Sequence, residues 1–184
     1  MNIIQRLMRR ALAGGMLSLT IVAFDPTQLL PIYGGSGGNA FSRDCGAGMV
    51  LTGLRGRTGV FIDAVGMLCR PVNANGTLGA ETTVGSMAGG GGGNNFIAHG
   101  KPGEVVFGAR IYSGMYVDAM SLHCQTWDPA TRKVFSSGSF VDFGHGGAGT
   151  EKTEHCALNK QPVSGIRGRA SAVVDAIGLK CDEP

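Results

Sequence analysis

The 17-residue segment GLRGRTGVFIDAVGMLC (residues 53–69) returns in register as GARIYSGMYVDAMSLHC (108–124) and as GIRGRASAVVDAIGLKC (165–181). Five positions are identical in all three copies: the opening glycine, an arginine two residues on (Arg55, Arg110, Arg167), an Asp-Ala pair (Asp63-Ala64, Asp118-Ala119, Asp175-Ala176) and the closing cysteine. Chance does not fix five spacings at once, so the chain is one unit written three times. Glycine clusters stand ahead of each window, at Gly34, Gly35, Gly37 and Gly38, at residues 89–93, and at Gly146, Gly147 and Gly149. Each unit therefore reads as a glycine cluster, then a strand, then a hairpin. The repeats run over about 34–69, 89–124 and 146–181.

Residues 1–23 carry Arg6, Arg9 and Arg10 ahead of a short apolar run, the layout of a secretory signal peptide. That run is too short to span a bilayer. The expected organisation is a signal over 1–23, a short linker over 24–31 and a single domain over 32–184, secreted or periplasmic, with no integral membrane segment in the mature chain. Removing the signal subtracts three of the sixteen basic residues and none of the thirteen acidic ones, which leaves a formal net charge of zero. Nucleic-acid binding needs a clustered positive surface. The Arg-Gly-Arg triplets at 55–57 and 167–169 are accordingly read as strand residues facing solvent.

Four of the five cysteines fall at matching places, Cys45 with Cys69 and Cys156 with Cys181. One disulfide is expected in the first repeat and one in the third, each worth roughly 3 kcal/mol by loop-closure entropy. The second repeat has His99 and Gly100 where a partner for Cys124 belongs, so Cys124 is read as a buried small hydrophobe.

Within each window the pattern is strand, tight turn, strand, with Gly59 and Gly114 expected to supply the positive φ of the turn. No long segment after residue 23 shows helical spacing. The stretches 70–88 and 125–143, the second holding Trp127 and the Arg132-Lys133 pair, read as connections between units. The fold class is all-β, with three equivalent units closing around a pseudo-three-fold axis.

The run GGSGGNAF (34–41) followed by GRTGVFIDAVG (56–66) resembles the jacalin-related lectins, whose domains begin with a GG-containing loop and carry a G-R-S-G-x-x-x-D-A-I-G hairpin. The C-x7-G opening (Cys45 to Gly53) and the Ser-Leu-His-Cys ending (121–124) look like the vitelline membrane outer layer proteins, disulfide-bearing relatives of the same fold. The resemblance implies a β-prism of three four-stranded Greek-key sheets.

It also implies a sugar site. A hexose offers vicinal hydroxyls, so its site needs an ionised acceptor, backbone N–H donors and room for close approach. In these lectins the G-x-x-x-D turn supplies them, and this sequence matches it as Gly59-Val60-Phe61-Ile62-Asp63 and as Gly114-Met115-Tyr116-Val117-Asp118. Phe61 or Tyr116 would lie against the sugar's C–H face. The third copy, Ser171-Ala172-Val173-Val174-Asp175, keeps the aspartate but has serine for glycine and no aromatic residue. By resemblance the glycine loop beside each turn comes from the next unit: Gly92 and Gly93 for Asp63, Gly146 and Gly147 for Asp118, and Gly34, Gly35 and the glycines after them for Asp175. Two readings of the aspartates stay open, a sugar acceptor or a turn cap bonding backbone N–H groups.

The expected function is glycan or cell-surface polysaccharide recognition without catalysis, metal or cofactor, with homo-oligomer formation left open. The alternative is a structural or protein-interaction module of an envelope or extracellular matrix. His99, His123, His145 and His155 form no metal-ligand spacing, and no nucleophile-base constellation accompanies Cys124. Asn75-Gly76-Thr77 is a glycosylation sequon if the source is eukaryotic.

Overall fold

The computed structural model describes residues 27–145, 149–157 and 160–184. The expected signal segment lies outside the described residues, and so do Gly146 and Gly147. The elements are thirteen strands: β1 Gln28–Leu29, β2 Tyr33–Gly34, β3 Asn39–Asp44, β4 Met49–Thr58, β5 Ile62–Pro71, β6 Thr82–Gly89, β7 Asn94–His99, β8 Glu104–Ser113, β9 Val117–Asp128, β10 Lys133–Phe143, β11 Thr150–His155, β12 Val163–Ala170 and β13 Val174–Cys181.

They form three antiparallel sheets. Sheet I has the order β6-β5-β4-β7, sheet II β10-β9-β8-β11, and sheet III β1-β13-β12-β3, with β2 also paired to β13. In sheets I and II three consecutive strands are followed by a fourth that returns beside the first, which is Greek-key order. Sheets I and II have four strands, whereas sheet III has five because β1 and β2 pair with successive stretches of β13.

Each window of the repeat is the central hairpin of one sheet. The strand that follows each glycine cluster leaves its own unit: β7 pairs with β4, β11 with β8, and β3 with β12. This exchange closes the ring and brings each glycine cluster to the tip of a neighbouring hairpin.

The inward faces of the hairpins meet on the axis. Val65, Met120 and Ile177 occupy one equivalent position and Met67, Leu122 and Leu179 another, all fully buried in one continuous core. Burying a side chain of this size contributes about 2 kcal/mol. A second small cluster of Val50, Val105, Trp127 and Val134 closes the other end, with Trp127 Nε1 donating to Gly76 O at 2.8 Å.

The disulfides form as expected, Cys45–Cys69 and Cys156–Cys181. Each joins two sheets. Cys45 follows β3 of sheet III and bonds into β5 of sheet I; Cys156 follows β11 of sheet II and bonds into β13 of sheet III. Cys124 is free and buried, and burial pushes its thiol up to about 12, with Glu104 adding to the shift. It behaves as the small hydrophobe the sequence suggests.

Three expectations are corrected. The connections 70–88 and 125–143 hold β6, the end of β9 and β10. The segment 24–31 is not only a linker, because Gln28 and Leu29 pair with β13 and Leu30 is buried. Neither Gly59 nor Gly114 has a positive φ. The turn instead closes with the N–H of its first residue on the carbonyl two residues on, Gly59 to Phe61, Gly114 to Tyr116 and Ser171 to Val173, at 2.9 to 3.0 Å. Because this turn needs no left-handed residue, serine fits it as well as glycine.

Candidate functional site

The three hairpin tips gather at one end of the prism. Phe61 and Tyr116 pack against each other with ring centroids 5.1 Å apart. A Cβ at Gly35 would overlap the carbonyl of Met115, and one at Gly90 would overlap that of Ala172. These two glycine loops are thus wedged between the turn each serves and the tip of the next hairpin. Val60 and Met115 project into solvent, 82% and 74% exposed. The aromatic rings, expected to face a ligand, are half-buried on each other beneath these two residues.

At the first tip the loop from β6 to β7 closes on Asp63. A Cβ at Gly92 would overlap Oδ1 of Asp63, and one at Gly93 would overlap Oδ2. The carboxylate therefore fills space that only glycine leaves free. Gly90 N–H donates to the Asp63 carbonyl at 2.8 Å, and Gly93 adopts φ +60, a conformation that strains any larger residue. Oδ2 of Asp63 is buried and has no hydrogen-bond partner.

The loop is held from outside by Arg57. Its Nε donates to Gly92 O and its Nη2 to Gly93 O, both at 2.6 Å, while Nη1 reaches Asn95 Oδ1 at 2.9 Å. The triplet arginine read as a solvent-facing residue is in fact a clamp on the glycine loop. Arg169 repeats it on the first glycine cluster, Nε to Gly37 O at 2.7 Å and Nη2 to Gly38 O at 2.6 Å. The sequence signal was available, since Arg57 and Arg169 share a repeat position where the second copy has Tyr112.

At the third tip Gly37 and Gly38 stand to the two oxygens of Asp175 as Gly92 and Gly93 stand to those of Asp63. Here Ser171 Oγ donates to Asp175 Oδ2 at 3.1 Å, and Asp175 is only 3% exposed. Gly34, expected at this site, packs on the backbone of Asp175 and Ala176, not on the carboxylate.

The second tip differs in its loop. Gly144 lies over Ala119, as Gly89 lies over Ala64, and the described residue that closes on the Asp118 carboxylate is Gly149. Five steps separate these two glycines, against four from Gly89 to Gly93 and from Gly34 to Gly38. The loop at Asp118 is one residue longer, and Tyr112 gives it no guanidinium clamp. Gly146 and Gly147, expected to face Asp118, lie outside the described residues.

Elsewhere His123 Nδ1 and His155 Nε2 meet at 2.7 Å across sheet II, a pairing that the spacing of the histidines did not suggest. Among the described residues no group of three or more His, Cys, Asp or Glu side chains is placed to hold a metal ion, and no helix is long and apolar enough to cross a membrane.

No protein-family model matches the sequence, and no curated protein does. Solved structures do match. A Malaysian banana lectin aligns with a TM-score of 0.59 at 20% identity, over 86% of this chain and all of its own. A mannose-binding jacalin-related lectin from Ananas comosus gives 0.59 at 22% identity, over 86% of this chain and 99% of its own. Frutapin, a lectin from Artocarpus incisa, gives 0.62 at 18% identity, over 86% and 98%. With three Greek-key sheets, hairpins meeting on one axis and these neighbours, the chain has the β-prism fold of the jacalin-related lectins.

Proposed function

We propose that this protein is a secreted, non-catalytic carbohydrate-binding protein that takes one hexose at Asp63 and a second at Asp118. The observation that carries the reading is Oδ2 of Asp63, a carboxylate oxygen buried in a glycine cradle with no donor. An unpaired buried acceptor costs free energy that an incoming hydroxyl would recover. The equivalent oxygen of Asp175 does accept from a hydroxyl, that of Ser171, so the cradle's geometry suits an O–H donor. A turn cap would instead bond backbone N–H groups.

The surroundings support the same reading. Gly59, Val60, Gly114 and Met115 are exposed at their tips, so the turns open to solvent and are not covered by the segments between units. Exposed Val60 and Met115 offer apolar surface to the C–H face of a sugar, a role first expected of Phe61 and Tyr116. The mannose-binding pineapple lectin makes hexoses the first ligands to try.

The test is a glycan-array screen of the oxidised protein beside the Asp63→Ala, Asp118→Ala double variant. Selective binding that disappears in the variant, with the thermal midpoint nearly unchanged, is the expected result. Well-folded protein that binds no glycan would sink the proposal and favour the structural module.

A further inference from the structure

We propose that Asp175 is a third hydroxyl-accepting site held shut by Ser171, whose side chain takes the place of a ligand hydroxyl and so sets the number of sugar sites on the chain. This rests on the reading of Asp63 as a hydroxyl acceptor, and goes beyond it.

The two cradles match contact by contact. The loop N–H donates to the aspartate's own carbonyl at 2.8 Å in both, from Gly35 and from Gly90. The turn closes at 2.9 Å in both, from Ser171 and from Gly59. Gly38 and Gly93 have φ of 63° and 60°, and Arg169 and Arg57 bond the same two loop carbonyls. A Cβ on Gly37 or Gly38 would strike the Asp175 oxygens in the same order as one on Gly92 or Gly93 strikes those of Asp63.

What differs is the first residue of the turn. Where Gly59 leaves Oδ2 of Asp63 without a donor, Ser171 Oγ supplies one to Oδ2 of Asp175. The residue four positions along the same turn is present at an effective concentration that a freely diffusing monosaccharide does not reach. Ser171 therefore wins the acceptor, and Asp175 sits 3% exposed beneath it. The rest of the cradle, including its arginine clamp, is intact. Removing one hydroxyl then leaves Oδ2 of Asp175 as Oδ2 of Asp63 stands, in the same cradle and without a donor.

The experiment counts sites. Wild type, Ser171→Gly and Ser171→Ala, each also combined with Asp175→Ala, are titrated with a panel of methyl hexopyranosides and applied to a glycan array, with circular dichroism confirming the fold. Glycine already occupies this turn position at Gly59 and Gly114, so Ser171→Gly is compatible with the turn, and Ser171→Ala removes the hydroxyl while keeping the Cβ. The expected result is one more site than wild type, lost again when Asp175 becomes alanine. An unchanged number of sites in the folded Ser171 variants overturns the proposal, whether wild type binds sugar or not. A wild type that binds nothing, with a Ser171→Gly chain that gains one Asp175-dependent site, would keep the plug and discard the reading of Asp63 and Asp118. Wild-type binding through Asp63 and Asp118 with no gain on substitution would do the reverse.

Discussion

The opening glycine of each window, Gly53, Gly108 or Gly165, lies where two side chains from flanking strands approach across it. In sheet II the register row runs Phe140, His123, Gly108, His155, and a Cβ on Gly108 would strike His155. In sheet III the same row places Lys180 against Asp44 across Gly165, 2.5 Å apart. The invariant arginine reaches across the hairpin, Arg55 to Gly85 O at 3.0 Å and Arg167 to Leu30 O at 2.8 Å, while Arg110 stands over the Phe140 ring. His123 lies parallel to that ring at 4.5 Å and bonds His155. Burial, His155 and Arg110 hold the His123 imidazole below its ordinary value, and Arg110 itself lies near Glu151. A histidine with a depressed folded value binds fewer protons folded than unfolded. Its stabilising contribution is present above about pH 6.5 and is lost as pH falls below that value. Thermal midpoints measured through this window should fall with acidification in wild type and fall less in His123→Gln. Parallel profiles would show that the pair carries no such dependence.

Among the elements, the strands that end each glycine-loop excursion decide how the sheets are tied. Cys45, Gly100 and Cys156 are equivalent, because their N–H groups donate to Ser164 O, Thr52 O and Phe107 O in turn, at 2.8 to 3.0 Å. Two of these positions carry the disulfides that join sheet III to sheet I and sheet II to sheet III. The third seam, between sheets I and II, has Gly100 facing Cys124, and a Cβ built on Gly100 stands 3.1 Å from both Cβ and Sγ of Cys124. Gly100→Cys should therefore close a third bridge after a shift of about 0.7 Å toward the usual Cβ separation of about 3.8 Å, with Glu104, whose Cβ also stands 3.1 Å away, giving ground. Its loop is about as long as the native ones, so the expected gain is about 3 kcal/mol, less any strain. Thiol titration should find no free cysteine in the oxidised variant, with a raised thermal midpoint. Two free thiols in a folded variant would show that the seam is not equivalent to the other two. The wild-type Cys124, buried with its thiol near 12, should by the same geometry resist alkylation until the protein unfolds.

For the molecule as a whole, the triplication was legible because the repeated residues answer to steric demands that recur: a glycine crossed by two side chains, an alanine under a loop glycine, a cysteine at a seam. The aspartate-glycine pairing between units was legible only through the resemblance, since no local pattern says that a strand pairs outside its own unit. The strands β6 and β10 escaped notice for a physical reason. In β6 only Ala88 is buried, so an edge strand lying mostly in solvent shows no alternation, and β10 carries exposed Phe135 and Phe140. The arginine clamps were missed because a strand arginine bonding a neighbouring loop looks, in sequence, like one facing water. The same assembly would set the valence of the proposed sugar sites. With the Phe61 and Tyr116 tips in contact at one end, the sites proposed at Asp63 and Asp118 lie at neighbouring tips of a single chain, so both would engage one glycan layer without a second subunit. The second contact is then governed by effective concentration, and avidity gains of about 10² to 10⁴ follow when the spacing allows both. Wild type should bind a dense glycan surface far more tightly than it binds the free monosaccharide. Asp63→Ala and Asp118→Ala, taken singly, should each lose most of that gain while keeping the affinity of the remaining site for free sugar. A surface affinity no greater than the solution affinity would mean that the two sites do not act together.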